Sequence, residues 1–389
     1  MGKEIPMDYE LTGEQKEFKK NFRAFCEKEI APRAAQVDSE GAFSPENQRR
    51  LAEMEFFGLL FPQQYGGSQK PILTCVTAWE ELARACPATF LSCGIGSSLA
   101  GIPVHFWGTE EQKGKYLSRL IKGEWIGAFA LSEPHCGSDM TALKTEARKS
   151  GKNFFINGTK SFVTNGPLAD FVILVALTNP AAAPDQQMSI FVLDRGMPGW
   201  SAAPPLEKLG ARGSPVSPIT FKDCSVPESS LLGKEGEGYD YTAKTKEFFR
   251  LGFAAYSLGI SQACLEESVQ YARGREAFGR PIAYFQEVSF KVADMQMFVD
   301  TGRLLLYRAA SMMDQGLEAG PDIAIAKLFL SEAATWCATN AVQIHGGYGF
   351  LKGYKVERLY RDAKLGEIGE GTSEMQRKII ARTLLGEGF

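Results

Sequence analysis

Beyond Tyr239, apolar residues recur with helical spacing through three long stretches, Phe248 to Tyr271, Val288 to Met313 and Ile323 to Val342. Breakers stand between them: Gly274, Gly279 with Pro281, Gly316 with Pro321, and Gly346-Gly347. Long helices joined by short loops must run antiparallel to bury their apolar faces, so the last third predicts a four-helix bundle. No other feature of the chain narrows its fold so far.

The first third is helical in pattern too. Thr12 with Gln15 is a capping box ahead of Phe18, Phe22, Phe25 and Ile30. Ser44-Pro45 opens a second helix, Leu73 to Ala85 forms another, and Thr109 with Gln112 caps a segment that Gly123 ends. Near Trp125 the period changes. Phe171–Val175, Met188–Leu193 and Ile219–Phe221 read as strands, and Asn157-Gly158 and Asn165-Gly166 carry a hairpin signal. The fold class expected is α+β: an N-terminal helical domain (1–125), a middle antiparallel β domain (126–238) and a C-terminal four-helix bundle (239–389).

A net charge of −3 offers no attraction to nucleic acid or an anionic membrane. No apolar run reaches the length of a membrane span, and the N-terminus has no signal-peptide pattern. The eight cysteines are scattered without a CxxC pair, which predicts reduced, buried thiols and a cytoplasmic protein. Three dispersed histidines give no metal site.

The chemistry concentrates near the C-terminus. Glu370 stands between Gly369 and Gly371, on a turn just before a closing helix that carries Ile379, Ile380, Leu384 and Leu385. A carboxylate so placed in apolar surroundings suits a general base, and a capping acid at a helix N-terminus explains it too. Phe129 to Asp139 offers backbone amides, hydroxyls and a glycine to a flat polar heterocycle, and equally makes an interdomain turn. Arg273, Arg275 and Arg280 crowd one turn, as phosphate binding or a solvated basic loop would require. Gln343 to Phe350 is glycine-rich, but neither a Walker loop nor a Rossmann fingerprint.

Six segments occur in one order: Ser-Glu-Pro-x-x-Gly-Ser-Asp from Ser132, Thr-Asn-Gly from Thr164, Arg-Glu-Ala-Phe-Gly from Arg275, Gln-Ile-His-Gly-Gly-Tyr-Gly from Gln343, Tyr-Arg-Asp from Tyr360, and Glu-Gly-Thr from Glu370. In these the sequence resembles the acyl-CoA dehydrogenase family from about Leu11 to Leu385. The resemblance implies FAD between the β unit and the bundle. Phe129, Leu131 and Ser132 would meet the flavin ring, with Phe162 and Thr164 on its other edge and Ser138 close by. Arg275, Phe278 and Gln286, with Gln343, Gly346 and Gly347, would serve the FAD of a neighbouring subunit, within a homotetramer. Thr372 and Glu374 would also touch the cofactor, while Ser138, Glu247, Arg250, Gly371 and Arg382 would line the acyl-CoA side.

By the same resemblance Glu370 removes the α-proton of an acyl-CoA while the β-hydride moves to flavin N5, giving a trans-2-enoyl-CoA. Electrons would pass to an electron-transfer flavoprotein. The alternatives are an acyl-CoA oxidase, a reductase, a desulfinase or a non-catalytic flavoprotein subunit on the same scaffold. Two residues depart from common family patterns: Phe162 replaces a tryptophan, and Phe249 stands where some members carry their base. Gly369 stands where many straight-chain members carry tyrosine. Either the space serves a short branched or cyclic acyl chain, or Phe249 or another bulky residue refills it.

Overall fold

The structure, a computed structural model, describes residues 10–386. Residues 1–6, which carry the N-terminal targeting expectation, lie outside the described residues. Helix α1 (Gly13–Phe25) opens on the expected box, Thr12 Oγ1 accepting from the Gln15 amide while the Gln15 side chain takes the Thr12 N–H. Ser44 caps α2 (Pro45–Glu53), and Thr109 with Gln112 forms the second box. Helix α3 (Ile72–Ala85) is buried on nearly every face. Ions tie α1 to it and to the bundle: Lys19 bonds Glu80 and Tyr307, and Arg23 Nη2 lies 2.7 Å from Glu266.

One expectation fails over Pro87–Trp107. This helical run is long and apolar enough to cross a membrane by length and composition, but its apolar window is wholly buried in the protein. Its glycines allow that burial: a Cβ on Gly96 would come within 2.7 Å of Thr164, and one on Gly101 within 2.6 Å of Leu120. Through Leu91, Ile95 and Gly96 the run walls one side of the central cavity.

The middle of the chain is an eight-stranded sheet in the order β6-β7-β3-β2-β4-β5-β8, with β1 beside β4. Its strands are β1 (Gly127–Ala130), β2 (Glu146–Ser150), β3 (Asn153–Thr164), β4 (Phe171–Leu177), β5 (Met188–Asp194), β6 (Trp200–Ala202), β7 (Val216–Pro227) and β8 (Leu231–Leu232). The sheet is mainly antiparallel, but β1 runs parallel to β4, from Gly127 opposite Phe171 to Ala130 opposite Leu174. That parallel pair corrects the purely antiparallel expectation.

The hairpin signal is also partly misplaced. Strand β3 runs straight through Asn157-Gly158, with only a register shift there. The Asn157 side chain is spent across the sheet, its Oδ1 accepting from the Asp223 amide (2.8 Å) and its Nδ2 donating to Asp223 Oδ1 (3.1 Å). The hairpin lies instead at Gly151, between β2 and β3, where φ is +62°. Asn165-Gly166 does turn the chain, but toward β4, which does not pair with β3.

The helical end comprises α4 (Gly238–Gly274), α5 (Gln286–Asp314), α6 (Gly320–His345), α7 (Lys355–Ile368) and α8 (Ser373–Leu385). Helix α6 packs against all four others, and α4 also lies along α3. The apolar residues of α8 do not all enter the core: Ile379 and Ile380 are half-buried, while Leu384 and Leu385 are 78% and 61% exposed. All eight cysteines are buried and unpaired.

Candidate active site

Helix α7 stops because Gly369 leaves it with an extended ψ of 149°, its N–H still bonded to the Leu365 carbonyl. Glu370 follows in the left-handed region at φ +53°, and Gly371 at φ +93°. Thr372 then caps α8, its side chain accepting from the Met375 amide. A left-handed non-glycine residue costs on the order of 1–2 kcal/mol, so something must hold it. The hold is on the next carbonyl: Lys327 Nζ of α6 donates to Gly371 O at 2.6 Å and Gln376 Nε2 donates to it at 2.8 Å.

Glu370 faces a cavity of about 450 Å³ between the sheet, the bundle and Leu91–Gly96. It is the one acidic residue among the described residues that line it. Phe129, Leu131, Ser132, Ser138, Phe162, Thr164, Arg250, Gly371 and Thr372 line it as well, so most of the expected site comes together. Glu247, Glu374 and Arg382 do not: Glu247 pairs with Lys244 (2.6 Å), and Glu374 and Arg382 are exposed on α8.

Local chemistry explains each placement. The Ser132 turn is held from behind by Glu133, whose carboxylate accepts the amides of Lys144 (2.8 Å) and Thr145 (3.0 Å) and the Lys160 ammonium (2.8 Å). Lys160 also donates to Leu131 O, and the Ser161 amide to Ser132 O. Burial pushes the Lys160 ammonium down to about 8, against the pull of Glu133. Burial opposes the Glu133 charge, but Lys160 and Thr145 carry its carboxyl below the usual range.

A bulge between Lys160 and Val163 places Phe162 at φ +53°, with 69% of the residue exposed toward the cavity. A bulky residue in that conformation is rare enough to indicate use. Thr164 faces the same space, whereas Asn165 is buried and bonds Ser92 and Gly127. In Tyr-Arg-Asp, Arg361 pairs with Asp38 (2.6 Å), and Asp362 Oδ1 accepts from the Ala211 amide (2.6 Å). The second bond fixes the loop that brings Lys208 to the cavity.

The space at Gly369 is filled. An ideal Cβ there would lie 2.4 Å from Phe253 Cε1, so Phe253 of α4 occupies the space into which a side chain at this position would start. Phe249 packs instead against Phe129, ring centroids 5.4 Å apart and planes tilted by 48°. The refilling reading therefore holds, with Phe253 rather than Phe249 as the residue.

The remaining residues gather elsewhere. Arg275, Gly346 and Gly347 line a second, open cavity of about 520 Å³ with Tyr271 and Tyr348, and Gln343 lies exposed one turn earlier on α6. A Cβ on Gly346 or Gly347 would meet no atom within 4 Å. Phe278, 95% exposed at φ +51°, and Gln286 project from the adjoining hairpin and α5. No residue belongs to both cavity linings.

Sequence-family models for the N-terminal, middle and C-terminal domains of acyl-CoA dehydrogenases match residues 12–124, 128–224 and 236–385. The chain belongs to the acyl-CoA dehydrogenase family. It is 42% identical over 379 residues to an acyl-CoA dehydrogenase of Bacillus subtilis (strain 168), covering 97% of this chain and 99% of that one. The structure of butyryl-CoA dehydrogenase from Megasphaera elsdenii superposes with a TM-score of 0.94 at 36% identity, covering 97% of this chain and all of that one. A structure described as PigA with FAD and proline superposes with a TM-score of 0.93 at 31% identity, covering 98% and 100%.

The family is FAD-dependent, and the cavity fits that cofactor. Apolar rings of Phe129 and Phe249, the projecting Phe162 and the hydroxyls of Ser132 and Thr164 suit a flat heterocycle with a polar edge. Buried Arg250 Nε has no hydrogen-bond partner among the described residues, as an anionic or polar ligand would explain.

Sequence reading missed Lys246, Lys327, Gln376 and Phe253. Lys246 had a signal, since it sits four residues before Arg250 and shares its helix face. Burial pushes both cations down in pKa, and the Glu370 charge opposes it. Lys327 is fully buried on α6, pushed down to about 8 by burial against the same charge. Nothing in its own segment marks it.

Proposed function

We propose that this enzyme oxidises an acyl-CoA thioester to the trans-2-enoyl-CoA, with Glu370 taking the α-proton. The observation that carries this is that Glu370 is the one acid lining the cavity, among the described residues. Phe249, at the position where some family members carry a base, cannot accept a proton. FAD, held by Phe129, Leu131, Ser132, Phe162, Thr164 and Thr372, supplies the hydride acceptor. The left-handed turn at Glu370 aims its side chain into the cavity, and its backbone N–H is the donor this reading assigns to the thioester oxygen. Phe129, Phe249 and Phe253 exclude water from the reacting carbons, and Ser138 and Arg250 receive the carrier.

Arg275, Phe278, Gln286, Gln343, Gly346 and Gly347 serve a neighbouring copy's FAD in this reading. Their grouping away from the central cavity supports it. Phe290, Met297 and Leu304, seven residues apart on α5 and 54–62% exposed, give a homotetramer apolar surface to cover. Electrons pass to an electron-transfer flavoprotein, and the buried free thiols fit the reducing cytoplasm.

Anaerobic titration of the yellow protein with a panel of acyl-CoAs tests this by flavin bleaching. Glu370→Gln keeps the shape but removes the base, so bleaching should slow by at least about 10²–10⁴-fold with FAD retained. Bleaching of the variant at near the parent rate would show that another group takes the proton.

A further inference from the structure

Four residues meet at the turn that carries the base: Glu370 and Gly371, both left-handed, Gln376 of α8 and Lys327 of α6. Lys327 is fully buried, yet no carboxylate lies within salt-bridge range of its ammonium among the described residues. Buried lysines are otherwise paired with acids or kept neutral, so a lysine spent on one backbone carbonyl needs a reason. Gly371 O receives two donors, Lys327 Nζ at 2.6 Å and Gln376 Nε2 at 2.8 Å, and Gln376 Nε2 also reaches Glu370 O at 3.4 Å. A Cβ on Gly371 would come 2.8 Å from that same Nε2, so the glycine and the glutamine are fitted to one another.

Turning the peptide after Gly371 would break both bonds and bury an unsatisfied ammonium. We infer that Lys327 and Gln376 are positioning residues for the dehydrogenation. They lock the Gly371 carbonyl so that Glu370 stays in its left-handed conformation with its carboxylate toward the substrate. The inference rests on the reading of Glu370 as the base. Lys327 acts from 44 residues away in sequence, and it ties the reacting turn to the helix that packs against all the others in the bundle. The charged groups around it are Glu370, Arg250 from α4, Glu367 from α7 and Glu374 from α8.

The test uses FAD-loaded Lys327→Met and Gln376→Ala and the acyl-CoA from the panel that bleaches the parent fastest. Each variant should slow flavin reduction by about 10²-fold, the scale of a misplaced reacting group, while the dissociation constant for that acyl-CoA stays within about two-fold. Because both residues hold one carbonyl, the double variant should lose no more than the worse single one. Hydrogen exchange of the 369–376 segment should quicken in both variants, a readout independent of turnover.

Parental reduction rates with parental exchange would overturn the inference. So would equal losses in rate and affinity that simply add in the double variant. Should Lys327→Met fail to fold, Gln376→Ala decides by the same criteria. A parent that no acyl-CoA bleaches, with exchange still quickened in the variants, would sink the dehydrogenase reading and leave the lock standing.

Discussion

Gly369 offers the sharpest quantitative test, because its constraint is steric and its partner is known. Its φ of −67° is open to any residue, so replacing it carries no backbone strain. An added Cβ would lie 2.4 and 2.5 Å from two carbons of the Phe253 ring, against about 3.5–4.0 Å for relaxed carbon contact. The ring must retreat by about 1–1.5 Å, but it is buried and already rests on Tyr256, centroids 5.9 Å apart. Overpacking of this kind costs about 1–3 kcal/mol. Gly369→Ala should therefore lower the unfolding free energy of the FAD-saturated protein by that amount, read from urea denaturation. Phe253→Leu vacates the space, so the double variant should recover at least about 1 kcal/mol relative to the sum of the singles. Strict additivity would refute the contact. It follows that Gly369→Tyr should depress turnover on straight and branched acyl-CoAs alike, and should become tolerable only once Phe253 is shortened. Loss confined to branched substrates would instead show that the space belongs to the acyl chain.

Asp362 gives a pH test. Burial raises its carboxyl to about 6 from an ordinary 3.8, so the folded protein binds the proton more tightly than the unfolded chain. Stability from this group is present below about pH 4 and is lost as pH rises through 6, by up to about 3 kcal/mol. Asp362→Asn keeps an acceptor for the Ala211 amide, and its denaturation midpoint should lack that part of the decline between pH 4 and 7. Glu133→Gln leaves the buried Lys160 ammonium without its counter-charge, which should cost about 3 kcal/mol or more and loosen the Ser132 turn. Weaker FAD retention in a filtration assay would report the loosening, and unchanged retention would argue against the turn as a flavin contact. Arg275→Ala should lower FAD occupancy and make colour depend on protein concentration. An FAD-saturated monomer by mass measurement would count against the shared site.

What the sequence determined by itself is local. Capping boxes at Thr12 and Thr109 act through groups within four residues, so their outcome is written in the segment, and the glycines around Glu370 permit a sharp turn there. The long apolar repeats after Tyr239 likewise require helices, whatever surrounds them. Tertiary structure decided the rest, wherever two readings of one segment were close in energy. Asn157-Gly158 is a sound turn signal, but bonds to Asp223 on a strand far along the chain kept it extended. Pro87–Trp107 has the apolar content of a membrane span, and only neighbours that close over its glycines make it an interior helix. The parallel pairing of β1 with β4 depends on a connection that no local pattern records. At the site, the base was legible and its support was not. Glu370 stands out by its two glycines, whereas Lys327 and Phe253 lie in ordinary helical pattern and gain their roles only when packing brings α6 and α4 against the turn. A side chain's contacts are set by which helix faces meet, and that is a property of the folded core rather than of any one stretch of chain.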